Sequence, residues 1–313
     1  MKMNELKWVE HLKRRVAKSA GVIQGIGDDC ALVSLGKEKL LLKSDLFVED
    51  VHFPAAKRLA TKRRSLAEGG RGLALPASGR RGGKQKITFK TIGMRAVSRV
   101  LSDFAACGGV PKFIGISLGM PSYVKERDLK EILAGVLALG KKYNFSLVGG
   151  DTSRAPKLII DVWGVGQVDT FIARSGAKVG DYIFVTGKLG ARAFNEPFTP
   201  RISEAQYLVK NFKINAMIDI SDGFAIDLHR VLKESNKGAL LNQDAIPTTK
   251  GISDFYRGED YELIFTIDKS EAARAGLTKR FYCVGRIMAQ KFGYMMEHDG
   301  TRSRIPVKGY THF

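Results

Sequence analysis

Apolar positions along the chain follow two periods, one helical and one of alternate residues. In residues 1–19, Leu6, Val9, Leu12 and Val16 recur at helical spacing and predict an amphipathic helix packed on the body or on a second copy. Strand-like runs follow at 31–35 and 39–43, joined by a turn at Gly36, and an alternating segment spans 46–53. After a break, 91–106 reads as a helix, 114–120 as a buried strand and 125–143 as a second helix. Leu129, Ile132, Leu133, Val136, Leu137 and Leu139 are expected on one face of that helix. Strands at 145–148 and 158–168 complete an α/β or α+β first domain over 1–168. A second α/β domain is expected over 169–313, with strands at 181–186, 216–223, 261–267 and 281–287 and helices at 203–212 and 224–235.

Charge is unevenly spread along the chain. The chain of 313 residues carries a net charge of +19, which would ordinarily suggest a nucleic-acid partner. About half of the excess lies in 57–86, where ten basic residues face a single acid, Glu68. The surrounding stretch 54–86 is rich in Gly, Arg and Lys, is nearly free of apolar periodicity and predicts a disordered basic insertion. No aromatic residues interleave its charges as base-stacking platforms would require, so nucleic acid is not the expected partner of the protein. No apolar run reaches the roughly 18 residues of a membrane helix, and the charged N-terminus lacks the apolar core of a signal peptide. Cys30, Cys107 and Cys283 are odd in number, have no CxxC spacing and read as thiols in a reducing compartment, which predicts a cytoplasmic protein.

Acidic residues beside Gly, Ser or Thr recur at Asp28-Asp29, Ser44-Asp45, Ser102-Asp103, Gly149-Gly150-Asp151-Thr152, Asp219-Ile220-Ser221-Asp222 and Gly258-Glu259-Asp260. Almost every one adjoins a strand-like run. One or two such residues would be turn formers or helix caps. Six sets with small neighbours suit a hard cation held together with phosphate oxygens, and magnesium is the natural candidate. GxxxxGK[ST], a helix-opening GxGxxG, HExxH and GxSxG are all absent, which leaves a carboxylate-rich, glycine-lined site for Mg-nucleotide chemistry.

Taken together, Gly25–Ala31, Ser44-Asp45 with Val51-His52-Phe53, Leu101–Gly108, Gly149–Thr152, Ala173–Asp181, Ile218–Gly223, Gly258–Leu263 and Gly309–Phe313 resemble thiamine-monophosphate kinase, of the aminoimidazole ribonucleotide synthetase superfamily. The resemblance implies a two-domain α/β subunit whose N-terminal ATP- and Mg-binding sheet forms a homodimer interface. It implies phosphoryl transfer from ATP to thiamine phosphate. Carried over by residue, Asp28, Asp29, Ser44, Asp45, Asp103, Asp151, Asp219 and Asp222 would hold Mg²⁺, with Asp45, Asp103 and Asp151 central to catalysis. Gly150, Asp151, Arg174 and Ser221 would contact ATP, and His52, Glu259 and Tyr310 would contact thiamine phosphate.

The chain departs from that family pattern in three places. The linker between His52 and Asp103 is longer by roughly 30 residues, well beyond ordinary loop lengths. The stretches 190–216 and 246–258 are shorter. Two other readings stay open at this stage: an ATP-dependent relative with a different acceptor, and a basic nucleic-acid-binding relative impaired in catalysis.

Overall fold

The computed structural model describes residues 5–16, 19–54, 56, 87–191, 196–275, 277 and 280–311. Of the expected insertion at 54–86, Pro54 and Ala56 are described, and 55 and 57–86 lie outside the described residues.

Among the described residues, two sheets organise the fold. The first has six strands: β1 (Val22–Gln24), β2 (Ala31–Leu35), β3 (Glu38–Val48), β4 (Val110–Met120), β5 (Ser146–Arg154) and β6 (Ile159–Gln167). Their order is β1-β2-β3-β6-β4-β5, antiparallel except for the β4/β5 pair. That parallel pair is bridged by helix α3 (Glu126–Tyr143), while α2 (Phe89–Ala106) precedes β4 and α1 (Glu5–Arg15) opens the chain. Thr88 starts α2 by accepting the N–H of Thr91 at 3.1 Å.

The second sheet has seven strands: β7 (Tyr182–Val185), β8 (Ile214–Asp219), β9 (Lys237–Asn242), β10 (Leu263–Ile267), β11 (Tyr282–Ala289), β12 (Tyr294–His298) and β13 (Thr301–Arg304). They run in the order β13-β12-β9-β11-β7-β10-β8. Helices α4 (Ile202–Asn211), α5 (Phe224–Ser235) and α6 (Lys269–Ala275) accompany them.

Helix α2 is the wedge between the sheets. Ile92, Val97, Val100, Leu101 and Phe104 are fully buried, in one apolar cluster with Leu41 and Val162 of the first sheet and Phe184, Met217 and Phe265 of the second. A further cluster under α5 joins Phe224, Leu228 and Val231 to Ile183, Val185 and Ile218. Two glycines allow α2 and α3 to cross closely. A Cβ on Gly93 would lie 2.2 Å from the Ile132 carbonyl oxygen, and one on Gly135 2.2 Å from that of Lys90.

The two sheets and their helices agree with the expected α/β (α+β) class. Two expected breaks do not occur. The runs at 39–43 and 46–53 are largely one strand, β3, because Lys43, Asp45 and Phe47 continue the alternation that Leu41 begins. Likewise β5 does not end at Val148 but runs on through Asp151 to Arg154, paired with β4 up to Met120. Asp45 and Asp151 are therefore mid-strand residues, and Asp103 lies inside a helix. Among the described residues, no helix is long and apolar enough to cross a membrane.

Candidate active site

A cavity of about 530 Å³ opens where α1, the turn before β2, the helix side of β3, α2 and the loop after β8 meet. It collects Asp28, Asp29, Asp45, His52, Asp103, Arg174, Ser221, Asp222, Glu259 and Tyr310 from far-apart segments, with Asp219 beneath them. The alternation of β3 aims Asp45 into the cavity and Ser44 away from it. Ser44 lies on the open face of the sheet, where its hydroxyl donates to Asp161 at 2.7 Å. Asp151 is exposed and in register with Ser117, Asp161 and Leu46 across the sheet, so it shares that open face. Gly150 and Asp151 border a separate depression beside α3. One chain therefore gathers most of the expected residues but leaves Ser44, Gly150 and Asp151 outside the cavity.

Oxygen atoms of Asp29, Asp103 and Asp219 lie within 4.8 Å of one another, all three residues buried. Such crowding of acids has electrostatic consequences. Burial, reinforced by the neighbouring Asp29 carboxylate, raises Asp28 to about 6. Burial and Asp29 likewise raise Asp219 to about 7, although Ser102 donates a hydrogen bond to it at 2.7 Å. Burial also lifts Asp103 well above the usual carboxylate range. At Asp45, burial is outweighed by Arg99 and Lys43, and the carboxyl is held low. A second grouping, Asp28 and Asp29 with Cys107, fits a hard cation poorly, because burial holds the Cys107 thiol protonated. The all-oxygen set of Asp29, Asp103 and Asp219 suits magnesium.

Several cations already stand among these acids. Arg174 pairs with Asp29, and its backbone N–H donates to Asp28 at 3.2 Å. Arg99 grips Asp45 with Nε at 2.8 Å and a terminal nitrogen at 3.3 Å, and reaches Glu259 at 3.2 Å. The fully buried Arg95 holds the other oxygen of Glu259. Lys43 Nζ lies 3.1 Å from Asp103, and Arg230 lies 2.7 Å from Asp222. His52 is buried against Phe47, and its Nδ1 accepts the Val48 N–H at 3.0 Å, which leaves the proton on Nε2. Tyr310 stands at the rim, 44% exposed.

Sequence reasoning missed Lys43, Arg95, Arg99 and Arg230. A signal was present for three of them. Lys43 is two residues from Asp45 on a strand, and Arg95 and Arg99 stand eight and four residues before Asp103 on one helical face.

Comparison with known proteins bears on this site. The N-terminal domain pattern of AIR synthase related proteins matches residues 27–168. Thiamine-monophosphate kinase of Buchnera aphidicola subsp. Acyrthosiphon pisum is 29% identical over 353 residues, covering 100% of both chains. The Escherichia coli thiamine-monophosphate kinase is 29% identical over 328 residues, covering 92% of this chain and 91% of the relative. A solved structure, AaThiL complexed with AMPPCP and TMP, superposes with a TM-score of 0.79 at 26% identity, covering 100% of this chain and 99% of its own. Over its full length the chain is similar to thiamine-monophosphate kinases, and residues 27–168 carry the N-terminal domain of AIR synthase related proteins. Outside that kinase family, hydrogenase maturation protein HypE in complex with ATP matches with a TM-score of 0.65 at 18% identity, a likeness of fold alone.

Proposed function

We propose that this chain transfers the γ-phosphoryl group of ATP to thiamine phosphate in a direct in-line step, giving ADP and thiamine diphosphate. The observation that carries the reading is the convergence of Asp28, Asp29, Asp45, Asp103, Asp219 and Asp222 on one cavity, in a chain whose fold matches a ThiL structure that holds AMPPCP and TMP.

Both reactants are polyanions. The acceptor phosphate, with a second pKa of about 6, is largely dianionic at neutral pH and needs no strong general base. What it needs is charge screening and alignment. Magnesium held by Asp28, Asp29, Asp45, Asp103, Asp219 and Asp222 would supply that screening when bound. Arg174 has a planar fork suited to a nucleotide phosphate, and Ser221 lines the same wall. His52 Nε2–H would donate to the acceptor phosphate. Glu259, fixed by Arg95 and Arg99, would accept from the aminopyrimidine, and Tyr310 at the rim would stack on a ring of the substrate.

We infer that the chain pairs through the open face of the first sheet. Leu42, Leu46, Phe113 and Val148 are exposed on that sheet, and an apolar surface of this kind calls for a partner. Pairing there would bring Ser44 and Asp151 to the shared interface, beside bound nucleotide. The family match ends at residue 168, which supports a division into 1–168 and 169–313. Three free cysteines suit a cytoplasmic protein.

The deciding experiment is a coupled assay for ADP release. Mg-dependent ADP formation is expected on adding thiamine phosphate. A folded protein inactive with thiamine phosphate, thiamine and hydroxymethylpyrimidine phosphate alike would overturn the assignment.

A further inference from the structure

The cavity that should attract metal is close to electroneutral. Among the described residues, nine carboxylates and seven Lys or Arg side chains line it. Several of those cations are not at the rim. Lys43 reaches Asp103 at 3.1 Å, and Asp103 is one corner of the crowded trio with Asp29 and Asp219. Lys43 cannot be dismissed as a surface residue that happens to lie across the site. It projects from the middle of β3, two residues before Asp45, on the side that packs against α2. Pairing with Gly164 of β6, and of the adjoining Leu42 with Ala31 of β2, fixes where its stem begins. Arg99 meanwhile grips Asp45 at two points. The two carboxylates delivered by β3 and α2 thus each have a cation of the chain against them.

Three buried carboxylates whose oxygens approach this closely need a positive charge between or beside them. A lysine ammonium is a compact point charge able to fill that role, with three donors for carboxylate oxygens. We propose that Lys43 is a resident cation of the carboxylate cluster and stands in place of one divalent ion. The inference rests on the magnesium-kinase reading above and adds to it a positioning residue that lowers the metal count. Lys43 keeps Asp103 beside Asp29 and Asp219 before any metal arrives, so metal binding completes a site already assembled.

The test counts metal rather than turnover. Full-length wild type, Lys43→Met and Lys43→Arg are dialysed to equilibrium against Mn²⁺ with saturating AMPPCP, and bound Mn²⁺ per chain is measured. Lys43→Met is expected to bind about one Mn²⁺ more than wild type, and Lys43→Arg the same number as wild type. In EDTA, the melting temperature of Lys43→Met is expected to fall below that of wild type and to be restored by Mn²⁺. If the Met variant does not fold, Lys43→Gln, which keeps a donor for Asp103, is read for the same gain. An equal Mn²⁺ count in wild type and the neutral variant overturns the proposal. Wild type that binds no Mn²⁺ with AMPPCP overturns the magnesium-kinase reading instead, so the two failures are distinct.

Discussion

Asp103→Asn separates what this residue does for the fold from what it does for the reaction. In the metal-free protein its oxygen lies within 4.8 Å of oxygens on both Asp29 and Asp219. Unit charges at that separation repel by about 3.5 kcal/mol at an effective dielectric near 20, so the two pairs together cost about 7 kcal/mol. The attraction to Lys43 at 3.1 Å amounts to about 5 kcal/mol on the same scale. Removing the charge therefore deletes opposing effects that nearly cancel. Burial lifts the Asp103 carboxyl well above the usual carboxylate range, which acts in the same direction and shrinks the difference further. Urea denaturation in EDTA should show Asp103→Asn within about 2 kcal/mol of wild type, on the stabilised side. Added Mg²⁺ should stabilise wild type and leave the variant nearly unmoved. Thiamine-phosphate-dependent ADP release should fall by at least about 100-fold, as expected when charge stabilisation at the reacting phosphate is lost. A loss above about 4 kcal/mol in EDTA would make Asp103 a structural anchor and refute the cancellation. Turnover within tenfold of wild type would remove it from the metal set.

Three further outcomes are expected. Asp28, Asp219 and Asp227 rise from ordinary carboxylate values to about 6, 7 and 8, chiefly through burial, so between pH 4 and 8 the native state binds more protons than the unfolded chain. The metal-free protein should accordingly lose stability as pH rises through that window, by about 3 kcal/mol or more, and Mg²⁺ should flatten the trend; equal midpoints at pH 5 and pH 8 in EDTA would contradict this. Gly150→Ala would place a Cβ 1.7 Å from the Ile116 carbonyl oxygen at a φ of +154°, so it should cost at least about 2 kcal/mol by separating β5 from β4, as chemical denaturation would show. Leu46→Glu puts a charge on the open sheet face, and sedimentation should report a monomer with an unchanged far-UV spectrum; a dimer that survives would place the interface elsewhere.

The sequence carried the order of elements well, because long amphipathic helices such as 125–143 and the strand runs at 31–35 and 158–168 have unambiguous periods. It carried the carboxylates of the cavity through their small neighbours. It did not carry the faces. Ser44-Asp45 reads as a single motif, yet a strand sends those two side chains to opposite sides, and the strand assignment was needed to separate them. The strand predicted at 145–148 stops short of Gly149-Gly150-Asp151, because glycine weakens a strand in isolation. Tertiary pairing with β4 holds it extended. The basic side chains inside the cavity escaped for a different reason. Lysine and arginine are expected at the surface, so the spacing that puts Lys43, Arg95 and Arg99 on the faces of acidic residues carries little weight until the fold shows them pointing inward at acids.

Strand β3 works as a partition: odd-numbered side chains from Lys43 to Phe47 belong to one compartment and the even-numbered ones to the other. A single residue inserted or deleted in the hairpin at Gly36-Lys37 would exchange the two sets, turning a lysine and an aspartate toward the sheet's bare side and a leucine into the acidic chamber. The length of that tight bend is therefore under chemical as well as structural constraint, though it touches no reactant.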